Sequence, residues 1–206
     1  MSFVPGIDVS HFQGVIDWDR VKAAGIQFAF IKATDGISGK DPNLAVNMSG
    51  AAKAGIPFGL YHFYRPAEDA AQQATHFLSI DHTLAQLPPV LDLEIGGLLI
   101  GGVLRDPLKV SDAETWLEAV EDSMYVVPIV YGSPAFLSAH FEDWSGVKTY
   151  PLWVAEYTDR PAPVSGPWAN WDFWQYSNSG TVNGISGPVD LNWFNGSPDE
   201  LKDLLV

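Results

Sequence analysis

The sequence predicts an α/β fold, a modified TIM-like barrel of five βα units followed by three β-strands in a single domain. Three observations carry this. Short β-branched or aromatic stretches alternate with longer amphipathic ones over the first two thirds of the chain, as when parallel strands are joined by crossover helices. Ala-Gly-Ile recurs at 24–26 and 54–56, as two copies of one helix-to-strand turn. After about residue 145 the helical periodicity stops, while strand-like segments continue between loops rich in Gly, Pro and Asn. Eight strands then suit a closed barrel whose outer helix layer is missing over its last third.

Strands are expected at 3–9, 27–33, 57–63, 89–93 and 126–131. Helices fill the gaps. Residues 17–24 form one that stops at Gly25, and 43–54 form another that stops at Gly55, with Ala51, Ala52 and Ala54 favouring it. The third and fourth span 67–80 and 111–123, the fourth opened by Ser111 with Glu114 in a capping box. A short fifth covers 133–140. Strands at 150–155, 172–177 and 187–191 follow, and Ser197 then caps a closing helix with Pro198 in its first turn. The glycine-rich stretch 96–102 reads as a flexible loop, and no Lys-Ser or Lys-Thr follows to make it a phosphate loop. No linker or low-complexity tract interrupts residues 1–206.

Composition limits the function. With 206 residues, 47% apolar and 13% aromatic, the chain is globular and can bury a sizeable core. Its 11 Lys and Arg against 25 Asp and Glu leave a formal charge of −14, which repels phosphate backbones and anionic lipid. No nucleic-acid partner is expected. The absence of cysteine excludes disulfides, zinc-thiolate sites and thiol nucleophiles. No apolar run approaches the roughly 20 residues that span a bilayer, so no membrane insertion is expected. The opening Met-Ser-Phe-Val-Pro-Gly carries no signal segment, so this chain is not expected to encode an export route. Eight Trp and 7 Tyr beside the acidic excess fit a carbohydrate site, or equally a Trp-rich core.

The acids fall at strand ends: Asp8 closes the first strand, Asp92 and Glu94 close the fourth, and Asp190 lies at the end of the last. In a parallel barrel such ends converge on one mouth, where catalytic groups gather. Asp8 alone would read as a turn former or a cap. The pair differs, because residues two apart on a strand share a face. Leu91 and Leu93 then point to the helices and both carboxylates to the mouth. Crowding them raises the energy of double ionisation, and one carboxyl can relieve it by keeping a proton near neutral pH. A retained proton beside a second carboxylate is the equipment of a glycosidase.

The residues resemble a known family at this point. Gly6-Ile-Asp-Val-Ser-His-Phe-Gln-Gly14, Ile16-Asp-Trp18 and Phe30-Ile-Lys-Ala-Thr-Asp-Gly36 look like the start of the glycoside hydrolase family 25 lysozymes, the muramidases of the Chalaropsis type. Gly59-Leu-Tyr-His-Phe-Tyr64, Pro89-Val-Leu-Asp-Leu-Glu94, Ile129-Val-Tyr-Gly132, Leu152-Trp-Val-Ala155, Trp174-Gln-Tyr-Ser177 and Val189-Asp-Leu-Asn192 continue it in order along nearly the whole chain. The resemblance implies a barrel of five βα units and three strands. It also implies retaining hydrolysis of the β-1,4 bond between N-acetylmuramic acid and N-acetylglucosamine in peptidoglycan. By the same match Glu94 is the general acid/base, Asp8, Asp92 and Asp190 are the other active-site acids, and Tyr61, Tyr131, Trp153 and Gln175 line the sugar cleft. The partner is then the glycan strand and the place of action the cell wall or the extracellular space, with a phage lysin released from its host as one possible source. The expected unit is one monomeric catalytic domain over 1–206, with no cell-wall-binding module and no cofactor.

Two mechanisms stay open. Asp92 attacks the anomeric carbon directly, or the substrate's 2-acetamido oxygen attacks while Asp92 and Tyr131 orient that group. The Asp-x-Glu spacing on one strand favours the second, since neighbours on one face approach the same side of a sugar more easily than they flank it. Two competing readings are a barrel hydrolase with a metal held by Asp8, His11, His62 and Asp92, and a peptidoglycan-binding protein without catalysis.

Overall fold

A computed structural model describes residues 3–100, 103–105, 107–144, 146, 150–160 and 167–206. In chain order its elements begin β1 (Val4–Val9), a 3-10 turn (His11–Gln13), α1 (Trp18–Ala23), β2 (Phe28–Asp35), β3 (Gly39–Lys40), α2 (Leu44–Ala54), β4 (Phe58–Phe63) and α3 (Ala70–Leu78). They continue with β5 (Val90–Asp92), β6 (Leu98–Ile100), β7 (Val103–Arg105), α4 (Val110–Met124), β8 (Ile129–Gly132), α5 (Pro134–Phe141), β9 (Leu152–Ala155), β10 (Phe173–Gly180), β11 (Val189–Phe194) and α6 (Pro198–Asp203).

Eight of these strands close a single-domain barrel in the order β1, β2, β4, β5, β8, β9, β10, β11. From β1 to β10 each neighbouring pair is parallel. The last strand, β11, is antiparallel to both β10 and β1 and completes the ring. Helices alternate with strands through β8, whereas between β9, β10 and β11 no helix lies among the described residues. The architecture is therefore the one expected, with β3 as a two-residue addition on the end of β2.

Local chemistry sets the boundaries. Asp17 caps α1 by accepting from the Arg20 amide at 3.1 Å, and Ser197 with Glu200 forms a capping box at α6. Gly55 ends α2 at φ 66, where a side chain would be strained. Other expectations shift. The fourth helix starts at Val110, and the extended residue before it is Lys109, which makes no side-chain cap. Ser111 thus sits inside the first turn and cannot cap it. The third helix is shorter than 67–80 because Asp69 caps it, accepting from the Gln72 amide at 2.8 Å. The strand expected from residue 126 begins at Ile129, after Pro128. The last strand runs 189–194 instead of 187–191, since Gly187 has φ 95, outside strand geometry. The stretch read as a flexible loop carries β6, which pairs antiparallel with β7, and residues 101–102 of it lie outside the described residues.

Side chains alternate along β1. Val4 faces the barrel interior with Phe28, Phe30, Trp153 and Phe173, whereas Ile7 and Val9 join the layer under the helices. Phe30 stacks on Trp153 with centroids 4.4 Å apart and meets Phe173 edge-on at 5.1 Å. A Cβ on Gly6 would lie 2.3 Å from the Phe28 ring, so only glycine lets that ring cross β1. This aromatic fill occupies the barrel below Asp8 and leaves polar side chains to the mouth. Trp116 and Trp144, ambiguous by sequence, are both core. No described helix is long and apolar enough to cross a membrane.

Candidate active site

The parallel strands end at one mouth, and β11 reaches it from the opposite direction. Asp190 is the second residue of β11, not its end as expected. It arrives at the mouth because the strand is antiparallel, and it stands directly across from Asp8 in the β1 register. Asp92 is the last residue of β5, and Glu94 follows two residues on. Leu91 and Leu93 pack in the outer layer. All four acids, with Tyr61, Tyr131, Trp153 and Gln175, line one cleft of about 210 Å³.

The acids differ in their surroundings. Asp8 and Asp92 are each only 5% exposed, Asp190 is intermediate and Glu94 is exposed. Asp8 Oδ2 accepts from Gln175 Nε2 at 2.9 Å and from Asn192 Nδ2 at 2.8 Å. Burial, then the facing Asp190, push the Asp8 carboxyl well above its ordinary range, against the pull of those two donors. Burial also raises Asp190, and its hydrogen bond to Asp8 opposes that rise. Burial, followed by the charge of Glu94, lifts Asp92 well up, and Lys32 pulls it back. Asp92 Oδ1 is buried with no hydrogen-bond partner. Desolvation within the cleft raises the Glu94 carboxyl too, helped by the charge of Asp190, while the Tyr131 hydroxyl and Lys32 oppose that rise.

Gln175 ties the opposite wall together. Its Oε1 accepts from the Tyr131 and Tyr157 hydroxyls, each at 2.9 Å, while its Nε2 holds Asp8. That assignment fixes the amide orientation, because the tyrosines donate to oxygen and the carboxylate requires a donor. Trp153 Nε1 donates to Asn192 Oδ1 at 2.8 Å, which turns the Asn192 amide donor toward Asp8. Burial and the nearby Asp8, Asp92 and Asp190 raise Tyr61 well above the usual phenol range, so it stays a hydroxyl.

The sequence model of Glycosyl hydrolases family 25 matches residues 7–185, from the second half of β1 through β10. The chain belongs to glycosyl hydrolase family 25. Lysozyme M1 of Streptomyces globisporus is 37% identical over 213 residues, covering 98% of this chain and 71% of its own length. N,O-diacetylmuramidase of a Chalaropsis species is 31% identical over 219 residues and 98% of both chains. The crystal structure of a lysozyme from Streptomyces coelicolor superposes with a TM-score of 0.89 at 36% identity, over 99% of this chain and 97% of that one.

The family 25 enzyme is a glycoside hydrolase, and its cleft holds the groups that reaction class needs: a reachable carboxyl of raised pKa, a second carboxyl beside it, and aromatic and amide walls. The metal set weighed from sequence does not converge. His62 is buried in the outer layer, stacked on Trp116, with Nδ1 at 2.7 Å from Thr34 Oγ1 and Nε2 at 3.1 Å from Gln73 Oε1. Burial pulls its pKa down to about 4. His11 has Nδ1 on Asp41 Oδ2 at 2.8 Å, so among the proposed ligands only Asp8 and Asp92 line the cleft.

Reasoning from sequence missed Lys32, Phe63, Tyr157 and Asn192. Lys32 Nζ donates to Asp35 Oδ2 at 3.0 Å and lies 4.3 Å from the centre of the Phe63 ring. A lone lysine inside an apolar strand was its available signal. Asn192 stands in a quoted motif, but nothing local says that its amide reaches Asp8. Tyr157, half-exposed beyond β9, has no periodicity to mark it.

Proposed function

We propose that this glycoside hydrolase is an N-acetylmuramidase that cleaves the β-1,4 bond between N-acetylmuramic acid and N-acetylglucosamine in peptidoglycan, with retention and with Glu94 as general acid/base. The observation that carries the reading is the division of labour between Glu94 and Asp92: Glu94 is exposed and of raised pKa, and Asp92 is buried with one unpartnered oxygen. The names of the relatives, lysozyme and N,O-diacetylmuramidase, support the substrate.

In the first step Glu94 gives its proton to the glycosidic oxygen as the C1–O bond breaks. The 2-acetamido carbonyl oxygen attacks C1 from the opposite face, while the unpartnered oxygen of Asp92 accepts from the acetamido N–H. The Tyr131 hydroxyl, held by Gln175, borders the same space. Glu94, now a carboxylate, takes a proton from water as that water attacks C1; the bond between C1 and the acetamido oxygen breaks, the acetamide is restored and Glu94 is again the acid. Asp8 and Asp190 face each other at the same mouth, and the one carboxylate left when the crowded pair shares a proton faces the cationic centre. Residues 1–206 are read as one catalytic domain acting as a monomer on glycan strands at the wall, outside the cytoplasm.

The test is release of reducing ends from purified peptidoglycan, with the same wall after de-N-acetylation as comparison. The substrate-assisted route requires the acetamido group, so activity is expected on the first wall and lost on the second. Equal rates on both walls, or a sugar trapped covalently on Asp92, assign the attack to Asp92 instead. Binding to the wall without any release would make the protein a non-catalytic binder.

A further inference from the structure

The lip of the cleft presents an aromatic ring to water. Phe12 is 80% exposed and lines the cleft together with Gln13 and Asp8. Exposed phenylalanines are ordinary on mobile tips, but this turn is clamped from both sides. Ser10 and Gln13 form a capping box, with the Phe12 amide donating to Ser10 Oγ at 3.2 Å and the Ser10 amide to Gln13 Oε1 at 2.9 Å. Gln13 Nε2 reaches the Pro188 carbonyl at 3.4 Å, just before β11. On the other side His11 binds Asp41 Oδ2 through its backbone amide and through Nδ1, and buried Asp41 also accepts from the Asn43 amide. Asn43 Nδ2 closes the loop by donating to the Gly14 carbonyl at 3.0 Å. The His11 ring backs Phe12 at a centroid distance of 4.1 Å.

We propose that Phe12 is a sugar-stacking platform for a ring of the glycan strand outside the bond being cleaved, and so favours polymeric over short substrates. This rests on the muramidase reading for its ligand. A preorganised aromatic face takes the C–H face of a pyranose with little entropy cost. Its place in the ring of strands sets the distance. β1 is separated from β5 by β2 and β4, three spacings of about 4.8 Å around the wall. Phe12 and Glu94 therefore stand on different sides of the mouth, and a strand held at both must run across the cleft. The occupant is the glycan strand that the cleft takes on this reading, because Phe12 lines the same cleft as the four acids.

The experiment uses the full chain with long glycan strands and with short oligosaccharides from the same peptidoglycan. Phe12→Ala is expected to raise KM for long strands about 3- to 10-fold with kcat moving less than about twofold, a change in the range of one aromatic stacking contact. Phe12→Trp should return KM to near the parent value, and the KM for short oligosaccharides should stay put. Exposed Val15, which does not line the cleft, provides the control, and Val15→Ala should leave both substrates unaffected. Pelleting of Glu94→Gln with insoluble peptidoglycan, with and without Phe12→Ala, reads the same contact as binding without turnover. An unchanged long-strand KM in Phe12→Ala, a Phe12→Trp as weak as Phe12→Ala, or an equal loss in Val15→Ala overturns the platform while leaving the muramidase reading intact. Phe12-dependent pelleting by a parent protein that releases no reducing ends overturns the activity and keeps the platform.

Discussion

Gln175→Met isolates the hydrogen-bonded wall on which the cleft depends. Methionine keeps the volume and the apolar stem of glutamine and removes both amide partners, so packing loss stays small. Three bonds go: those from Tyr131 and Tyr157 to Oε1, and the one from Nε2 to Asp8. Tyr157 is 52% exposed and can turn to water, which removes it from the count. The buried Tyr131 hydroxyl loses its acceptor on this wall at about 1 kcal/mol, and the Asp8 carboxyl loses one of two side-chain donors at about 1.5 kcal/mol. The loss is then about 2–3 kcal/mol. For a chain of this size that corresponds to a Tm lower by ~5–10 °C, or a urea midpoint lower by about 1 M at unchanged m. Urea denaturation at pH 7, followed by tryptophan fluorescence, measures it. Gln175→Glu is the companion: it keeps both tyrosine bonds but turns an acceptor oxygen toward Asp8, so it should be worse than Met at pH 7 and recover toward pH 4. A midpoint shift under about 0.2 M in Gln175→Met, with m unchanged, would refute the argument that Gln175 ties the wall together.

Other consequences concern charge. Asp8 and Asp190 both have raised folded values, so the native state holds protons that the unfolded chain has released. Their favourable contribution is full below the ordinary value of 3.8 and is lost as pH rises through the raised values. Asp190→Asn should flatten the decline of Tm between pH 4 and 7, and parallel curves for variant and parent would contradict this. His62 works in the opposite sense: with a folded value of about 4 against 6.5, its contribution is full above pH 6.5 and is lost as pH falls toward 4. The stability gap between parent and His62→Gln should therefore shrink by ~3 kcal/mol from pH 7 to pH 4, and a constant gap would show that His62 does not titrate in this window. The formal charge of −14 should make activity on teichoic-acid-rich walls rise as salt screens the repulsion, and a rate that falls with salt would reveal a basic contact.

The barrel was legible because each strand carries its own period, and because the turns at Gly25 and Gly55 punctuate it; both glycines take positive φ. Strand direction was less accessible. Hydrophobic alternation along Val189–Phe194 reads the same in either sense, so Asp190 was placed at the wrong end of its strand while its arrival at the mouth was still anticipated. The Ser111 cap failed because a helix begins where backbone dihedrals turn, and they turn at Val110, straight after the extended Lys109. The antiparallel pair of β6 and β7 was hidden because a glycine-rich stretch with two short apolar runs carries no strand periodicity to mark it. At the site, the acids could be read because strand ends converge by geometry. The links between them could not, since the Gln175–Asp8 bond joins residues 167 positions apart and no local pattern encodes it. His62 misled for the same reason: a histidine on β4 has two faces available, and its partners Thr34 and Gln73 come from other elements.

The central claim is that Glu94 moves the proton. Glu94→Gln keeps the size and the hydrogen-bonding reach of the side chain but cannot donate that proton, and Glu94 is exposed, so the fold should be unaffected. The deciding measurement is the rate of reducing-end release from purified peptidoglycan by parent and Glu94→Gln at matched Tm. A loss of at least about 100-fold in kcat, the order contributed by general acid–base catalysis, is the expected result. A folded Glu94→Gln that cleaves within a few fold of the parent rate would contradict the account.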